Sequence, residues 1–302
     1  MGFGMIDPGR VVGSILSGLA LAAAMDFRLS LESGVPVSTT DQTAKTTLYL
    51  TPYCGNRIGL YNGSKWVLRE TAELSISLAG LTSGLVYDVF VYDNAGTPTL
   101  ELLAWTNATT RATALTRQNG ILVKSGAATR RYAGSIVMSA TGQSQIKFGG
   151  SAAGGSEAYI GIWNFYNQKD LKPFVRDTTD NWTYGTGTWR NSNNSAGMRV
   201  SMVRGFDEDW VRASFSEHMT NGAGSAGHVG VGLDGTTNIG SANEGVPNTS
   251  GAQATFANLL PGLGFHYLQA LEFVAGSGNV TFYGDNGNQQ NFGNGFGVDL
   301  KW

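Results

Sequence analysis

Apolar and polar residues alternate along most of this chain in short runs, each cut by Asn, Asp, Gly or Ser. Residues 27–31 (FRLSL), 47–51 (TLYLT), 198–203 (MRVSMV) and 210–215 (WVRASF) place apolar side chains at every second position, the spacing of a half-buried strand. Residues 228–233 (HVGVGL), 267–274 (YLQALEFV) and 279–283 (NVTFY) read as further strands, and 159–166 (YIGIWNFY) as an aromatic, buried one. Turn signals separate them. Asn62-Gly63 lies between 58–61 (IGLY) and 65–68 (KWVL), and Asn-Gly between apolar runs predicts a tight hairpin because both turn residues take positive φ. Residues 93–96 (DNAG) predict a second hairpin between 87–92 and 99–103. Residues 120–123 predict a pairing with 130–137 across Ser125-Gly126, and 185–187 (GTG) a hairpin between Trp182-Thr183-Tyr184 and Thr188-Trp189-Arg190. Only 109–115 (TTRATAL) suggests a short helix.

Strands every 8–12 residues, with no βαβ alternation and no internal repeat, predict an all-β protein built as a sandwich or barrel. Residues 141–156 (TGQSQIKFGGSAAGGS) have the Gly and Ser content of a linker. The chain therefore divides into an apolar N-terminal segment (1–26), an N-terminal β-domain (27–140), a Gly/Ser-rich linker (141–156) and a C-terminal β-sandwich, jelly-roll-like (157–302).

The N-terminal segment is distinct. Residues 11–25 (VVGSILSGLALAAAM) follow a single Arg10. The run is shorter than the ~20 apolar residues of a membrane-spanning helix, and its Ala22-Ala23-Ala24 end resembles a signal-peptide cleavage site. The favoured expectation is an uncleaved anchor, partly helical, with Val11, Val12, Ile15, Leu16, Leu19 and Leu21 packed against its own oligomer or a partner protein.

Composition narrows the function. Charged residues are 14% of the 302, and 43 glycines with many Ser, Thr and Asn fill the gap. Average soluble domains carry ~25% charge, and charge is depleted where a surface is covered by a partner. The formal net charge is −2, with no basic block, so phosphate-neutralising nucleic-acid binding is excluded as a main role. Cys54 is the single cysteine, which rules out an intrachain disulfide and a cysteine-based zinc site.

Candidate chemistry is sparse. Asp207-Glu208-Asp209 and the loop Asp285-Asn286-Gly287-Asn288 offer oxygen ligands, but a solvated turn accounts for each, and neither has EF-hand spacing. His218, His228 and His266 have no metal-binding spacing, and 223–227 (AGSAG) lacks the first glycine of a nucleophile elbow. No metal or other cofactor is expected. The aromatics are the more informative set. Trp163, Phe165 and Tyr166 read as core, whereas Trp182, Tyr184 and Trp189 flank a turn, where rings could stack on a sugar face.

Six segments carry a family resemblance: 48–53 (LYLTPY), 61–66 (YNGSKW), 87–96 (YDVFVYDNAG), 103–111 (LAWTNATTR), 123–132 (VKSGAATRRY) and 163–167 (WNFYN). Together they resemble the fibre-like structural virion proteins of tailed bacteriophages, of environmental and cyanobacterial type. The likeness spans most of residues 28–275. It implies a virion protein, assembled in the bacterial cytoplasm; the absence of a catalytic constellation makes the expectation a non-enzymatic one, with an enzyme acting on polysaccharide as the residual reading. It also implies a homotrimer held to other virion proteins through its N-terminal part. The role implied is a tail fibre or spike attaching the particle to a host-surface glycan, here through Trp182, Tyr184 and Trp189. The alternative is a capsid decoration, head-fibre or cement protein.

Overall fold

The computed structural model describes residues 22–246, 248–287 and 293–302. Almost every segment is strand, as the period-two pattern predicts. In the first half lie β1 (Phe27–Ser30), β2 (Gln42–Lys45), β3 (Thr47–Pro52), β4 (Arg57–Tyr61), β5 (Trp66–Glu70), β6 (Leu74–Ser77), β7 (Val86–Asn94), β8 (Thr97–Ala104), β9 (Leu115–Gln118), β10 (Ile121–Lys124) and β11 (Ala127–Val137). There follow β12 (Ser144–Lys147), β13 (Ser151–Ala152), β14 (Ala158–Ile160), β15 (Ile162–Asn164), β16 (Asp170–Leu171), β17 (Phe174–Asp177), β18 (Asn181–Tyr184), β19 (Arg190–Asn191) and β20 (Arg199–Arg204). The long strands come last: β21 (Val211–Asn221), β22 (Ser225–Leu233), β23 (Ile239–Glu244), β24 (Ser250–Leu259), β25 (Gly264–Gly276), β26 (Val280–Tyr283) and β27 (Gly295–Lys301).

The first region holds a three-stranded sheet in the order β1-β3-β6, the β4-β5 ribbon, and a sheet in the order β8-β7-β11-β10-β9 with β15 added to β11. The second region holds two larger sheets. One runs β2-β12-β14-β20-β25-β22-β23, with β19 on β25; the other runs β13-β17-β27-β21-β26-β18, with β16 on β27 and β24 on β21. Their inner faces supply one core. Along β21 the buried Val211, Ala213, Phe215 and Met219 alternate with more open Arg212, Ser214, Ser216 and His218. Val229, Val231, Leu268, Val274, Phe282 and Phe296 join them in that core. Phe215 is 1% exposed, and truncating a Phe so buried costs about 3–5 kcal/mol. A second, aromatic cluster, drawn from both regions, gathers Phe90, Trp105 and Tyr132 with Tyr159, Trp163 and Val203.

Both Asn- and Asp-led hairpins form. β4 pairs β5 with Tyr61 opposite Trp66, but through a four-residue loop, 62–65, in which Gly63 takes φ 100° and Asn62 does not adopt the positive φ expected of it. β7 pairs β8 from Asn94–Thr97 back to Tyr87–Ala104. β10 pairs β11 through Val123–Arg131.

Three expectations are corrected. Residues 109–115 are not helical: Thr106 N–H donates to the Thr110 carbonyl at 2.9 Å, and Arg111 turns inward to Asp88, so a tertiary ion pair overrides weak local propensity. The Gly/Ser-rich stretch is not a free connection, because β12 pairs both β14 and β2, with Ile146 buried. Its apolar residue sits in phase with buried Ser144, an alternation that composition conceals. The GTG segment closes no hairpin. β18 pairs β26, whereas β19 pairs β25, so this turn carries the chain from one sandwich sheet to the other.

The expected anchor residues Val11, Val12, Ile15, Leu16, Leu19 and Leu21 lie outside the described residues. The segment's end is held firmly. Arg131, 1% exposed, donates from Nη1 to the carbonyls of Ala22, Ala24 and Gly59 at 2.9, 2.8 and 2.7 Å. Its guanidinium also lies 4.7 Å from the Tyr166 ring centroid.

Candidate functional site

The three aromatics expected to meet a sugar do not form a common surface. Trp182 stacks on Phe282 at 6.4 Å and 13°, and its indole N–H donates to Glu272 Oε2 at 2.8 Å. Tyr184 donates its hydroxyl to the Thr188 carbonyl at 2.8 Å, with the Arg190 guanidinium 3.8 Å from its ring centroid. Trp189 packs on Phe273 at 5.2 Å and covers Gly230, where a β-carbon would come 2.7 Å from its ring. All three are half-buried and already occupied by neighbours.

The open aromatic surface lies elsewhere, on the outer face of the sheet containing β17, β27, β21 and β24. Register aligns Phe174 with Gly297, Gly297 with Ser214, and Ser214 with Phe256. The residues one step along, Val175, Phe296, Phe215 and Thr255, are buried, so this row faces outward. At ~4.8 Å per strand the Phe174 and Phe256 backbones stand roughly 14 Å apart, with a Gly–Ser floor between them. Phe174 is 45% exposed and Phe256 60%. The Phe174 ring lies down across the floor: a β-carbon at Gly295 would overlap it, and one at Gly297 would come 3.2 Å from it. Glycine at both positions is what lets the ring lie flat. The Arg176 guanidinium lies 5.3 Å from the Phe174 ring centroid, and that of Arg212 lies 5.7 Å from that of Phe256.

The adjoining row is polar. Arg212 faces Asp299 on one side and Asn258 on the other, and Lys172 pairs with Asp299 at 2.9 Å. Beyond it stands Trp210, 65% exposed, just before β21, with exposed Leu260 just after β24. Asp170, Lys172, Trp210, Arg212, Asp299 and Lys301 line a groove of about 250 Å³, below the ~300–1,000 Å³ of enclosed small-molecule pockets. Rings beside hydrogen-bonding groups on an open surface suit a ligand that lies along the sheet.

A second polar cluster is sealed between the sandwich sheets. Glu272 and Glu217 are each 0% exposed. Glu272 accepts from Arg190 Nε at 2.5 Å, from Trp182 and from the Asn193 N–H. Glu217 accepts from Ser192 Oγ at 3.1 Å, and its Oε2 has no donor at hydrogen-bond geometry among the described residues. Burial first, then the charge of Glu272, pushes the Glu217 carboxyl well above the carboxylate range, and Ser192 and Asn294 only partly offset this. Burial also raises Glu272, against the opposing effects of Trp182 and Arg190. This pair has carboxyls but no opening, so a polysaccharide cannot reach it.

The remaining candidates are structural. Asp207 lies 3.7 Å from Arg204 and Asp209 3.5 Å from Lys301. Asp285 accepts from the Gly287 N–H at 3.0 Å as a turn, and Asn288 is outside the described residues. His218, His228 and His266 stand on different strands. Ser225 is buried, its hydroxyl directed to the Gly222 and Asn279 carbonyls. Among the described residues no three His, Cys, Asp or Glu side chains gather as a metal-binding group.

No protein-family model and no curated protein matches this chain. Solved structures with partial likeness include a carbohydrate-binding module of the β-sandwich super family, with 9% identity, TM-score 0.21, and coverage of 89% of this chain and 96% of that one. Another is the insecticidal delta-endotoxin Cry8Ea1 of Bacillus thuringiensis, with 8% identity, TM-score 0.26, and coverage of 92% and 52%. A third is infectious bursal disease virus, Gx strain, with 8% identity, TM-score 0.25, and coverage of 88% and 73%. At such TM-scores these likenesses decide no point of function; the all-β sandwich stands on the chain's own strand pairing.

Proposed function

We propose that this chain is a non-enzymatic structural protein of a tailed-phage virion, a trimeric fibre or spike whose C-terminal sandwich holds a host-surface glycan. The observation that carries the binding half is the row Phe174–Gly297–Ser214–Phe256: two open rings on a small-residue floor, beside a row of charged and amide groups. Sugar rings present flat C–H faces to aromatics and hydroxyls to polar edges. Each contact on so open a face is weak, and three linked copies convert weak contacts into avidity. The virion half is supported by the six segments that resemble fibre-like phage proteins. The Arg131 clamp at residues 22–24 suits a segment that bears load.

The test is retention of the purified full chain on an array of bacterial surface polysaccharides, beside a Phe174→Ala/Phe256→Ala variant. Retention of the parent and loss in the variant, with unchanged circular dichroism, supports the reading. Equal retention of both proteins, or of neither, overturns it. A chain that instead leaves particles heat-sensitive when deleted, without altering adsorption, is a capsid cement protein.

A further inference from the structure

The glycan-binding reading leaves the chemical class of the sugar open, and the charges on the same face narrow it. The chain as a whole is acidic, with net charge −2, yet this face gathers Lys172, Arg176, Arg212 and Lys301 against Asp170, Asp209 and Asp299. Two of the cations are closed by acids: Lys172 by Asp299 at 2.9 Å and Lys301 by Asp209 at 3.5 Å. Arg212 is exposed and takes part in no ion pair among the described residues. Asp299, opposite it in register, is paired with Lys172, and the Arg212 guanidinium lies beside the Phe256 ring. A guanidinium beside an aromatic face keeps its N–H edge for a partner, and that edge matches the two oxygens of a carboxylate in a fork-to-fork pair. Guanidinium is also weakly hydrated, so such a pair forms at a surface more readily than with lysine.

The rings themselves point the same way. One face of Phe174 rests on the Gly295–Gly297 floor, and Arg176 lies beside the ring. Phe256 is shared in the same manner with Arg212. A ligand meeting this surface at Phe256 therefore touches a ring and the Arg212 cation together. A neutral sugar satisfies the ring and leaves the cation to water. A sugar carrying a carboxylate satisfies both.

We infer that the Phe174–Phe256 face selects acidic polysaccharide, with Phe256 stacking on a uronic-acid-type ring and Arg212 forking onto its carboxylate. The inference rests on the glycan-binding reading, and its test separates the two. The full chain is run in native affinity gels containing polygalacturonate, alginate or polysialic acid, or the carboxyl-reduced form of each. At least one acidic polymer is expected to retard the chain at tenfold or lower concentration than its reduced form, with the difference shrinking as salt rises. Arg212→Gln is expected to remove the acid preference and keep the weaker neutral retardation, whereas Phe256→Ala removes both. Equal retardation by acidic and reduced polymers, unchanged in Arg212→Gln, overturns the acid selectivity and leaves glycan binding standing. Retardation by no acidic polymer overturns the inference as well.

Discussion

The two regions of this molecule bury carboxylates in opposite ways. In the first, Asp88 is 0% exposed and fully partnered. It accepts from Arg111 at 2.6 and 3.1 Å and from the Ser135 hydroxyl at 2.8 Å. Arg111 spends its remaining reach on the Gly205 carbonyl at 2.6 Å and on the Trp105 ring, 4.6 Å from its centroid. Burial alone would lower the Arg111 pKa, but the Asp88 bond and the nearby charges overcome it and hold the guanidinium above its ordinary value. In the second region, of two buried glutamates only one has an ion-pair partner among the described residues. Arg190 serves Glu272, and Glu217 is left with the Ser192 hydroxyl and the nearby Asn294 amide, both neutral. The same depth of burial thus yields a clasp in one place and a held proton in the other. At equal depth the donors differ, and at Glu217 the charge of Glu272 adds to the effect of burial.

The sharpest way to break the comparison is at the clasp. Asp88→Asn keeps the shape and leaves Arg111 uncompensated, so thermal or urea unfolding is expected to lose about 3–5 kcal/mol; a loss under 1 kcal/mol would mean that Arg111 finds water instead. Next is Arg190→Gln, which strips Glu272 of its charged donor and is expected to cost about 1.5–3 kcal/mol. If unfolding free energies of the variant and the parent coincide, the sandwich does not depend on that ion pair.

Glu217→Gln comes third, with the opposite sign. The unfolded chain releases this proton above the ordinary value of 4.5, and the folded chain keeps it. Unfolding therefore releases a proton, and the contribution of Glu217 to stability is full below pH 4.5 and lost as pH rises toward its elevated folded value. Relative to the Gln variant, the parent should lose up to about 1.4 kcal/mol per pH unit across that window. Parallel stability curves for parent and variant from pH 5 to 8 would refute the held proton. The smallest effect belongs to the open face: Phe256→Ala should stay within about 0.5 kcal/mol of the parent, and a large drop in melting temperature would make that ring part of the core.

The sequence made some of this legible and hid the rest for identifiable reasons. The all-β class followed from period-two alternation, and the 93–96 hairpin from its turn residues, with Ala95 and Gly96 both at positive φ. Both are local properties. The turn at 185–187 misled because its flanking strands pair with β26 and β25, partners about 80 to 100 residues away that no local pattern names. Glu217 was readable in principle. It stands in phase with Val211, Ala213, Phe215 and Met219, and an acid on the apolar phase of a strand marks a buried carboxyl. The aromatic face was harder, because Phe174, Trp210 and Phe256 come from three separate segments. Phe256 alone gave a hint, lying out of step with the buried Thr255 and Ala257.

The grip of Arg131 on the backbone at residues 22, 24 and 59 has a mechanical corollary. Tension applied at Ala22 enters the middle of β11 through several hydrogen bonds strained side by side. Because Arg131 also holds the Gly59 carbonyl, that pull is divided between β4 and β11 instead of falling on one strand.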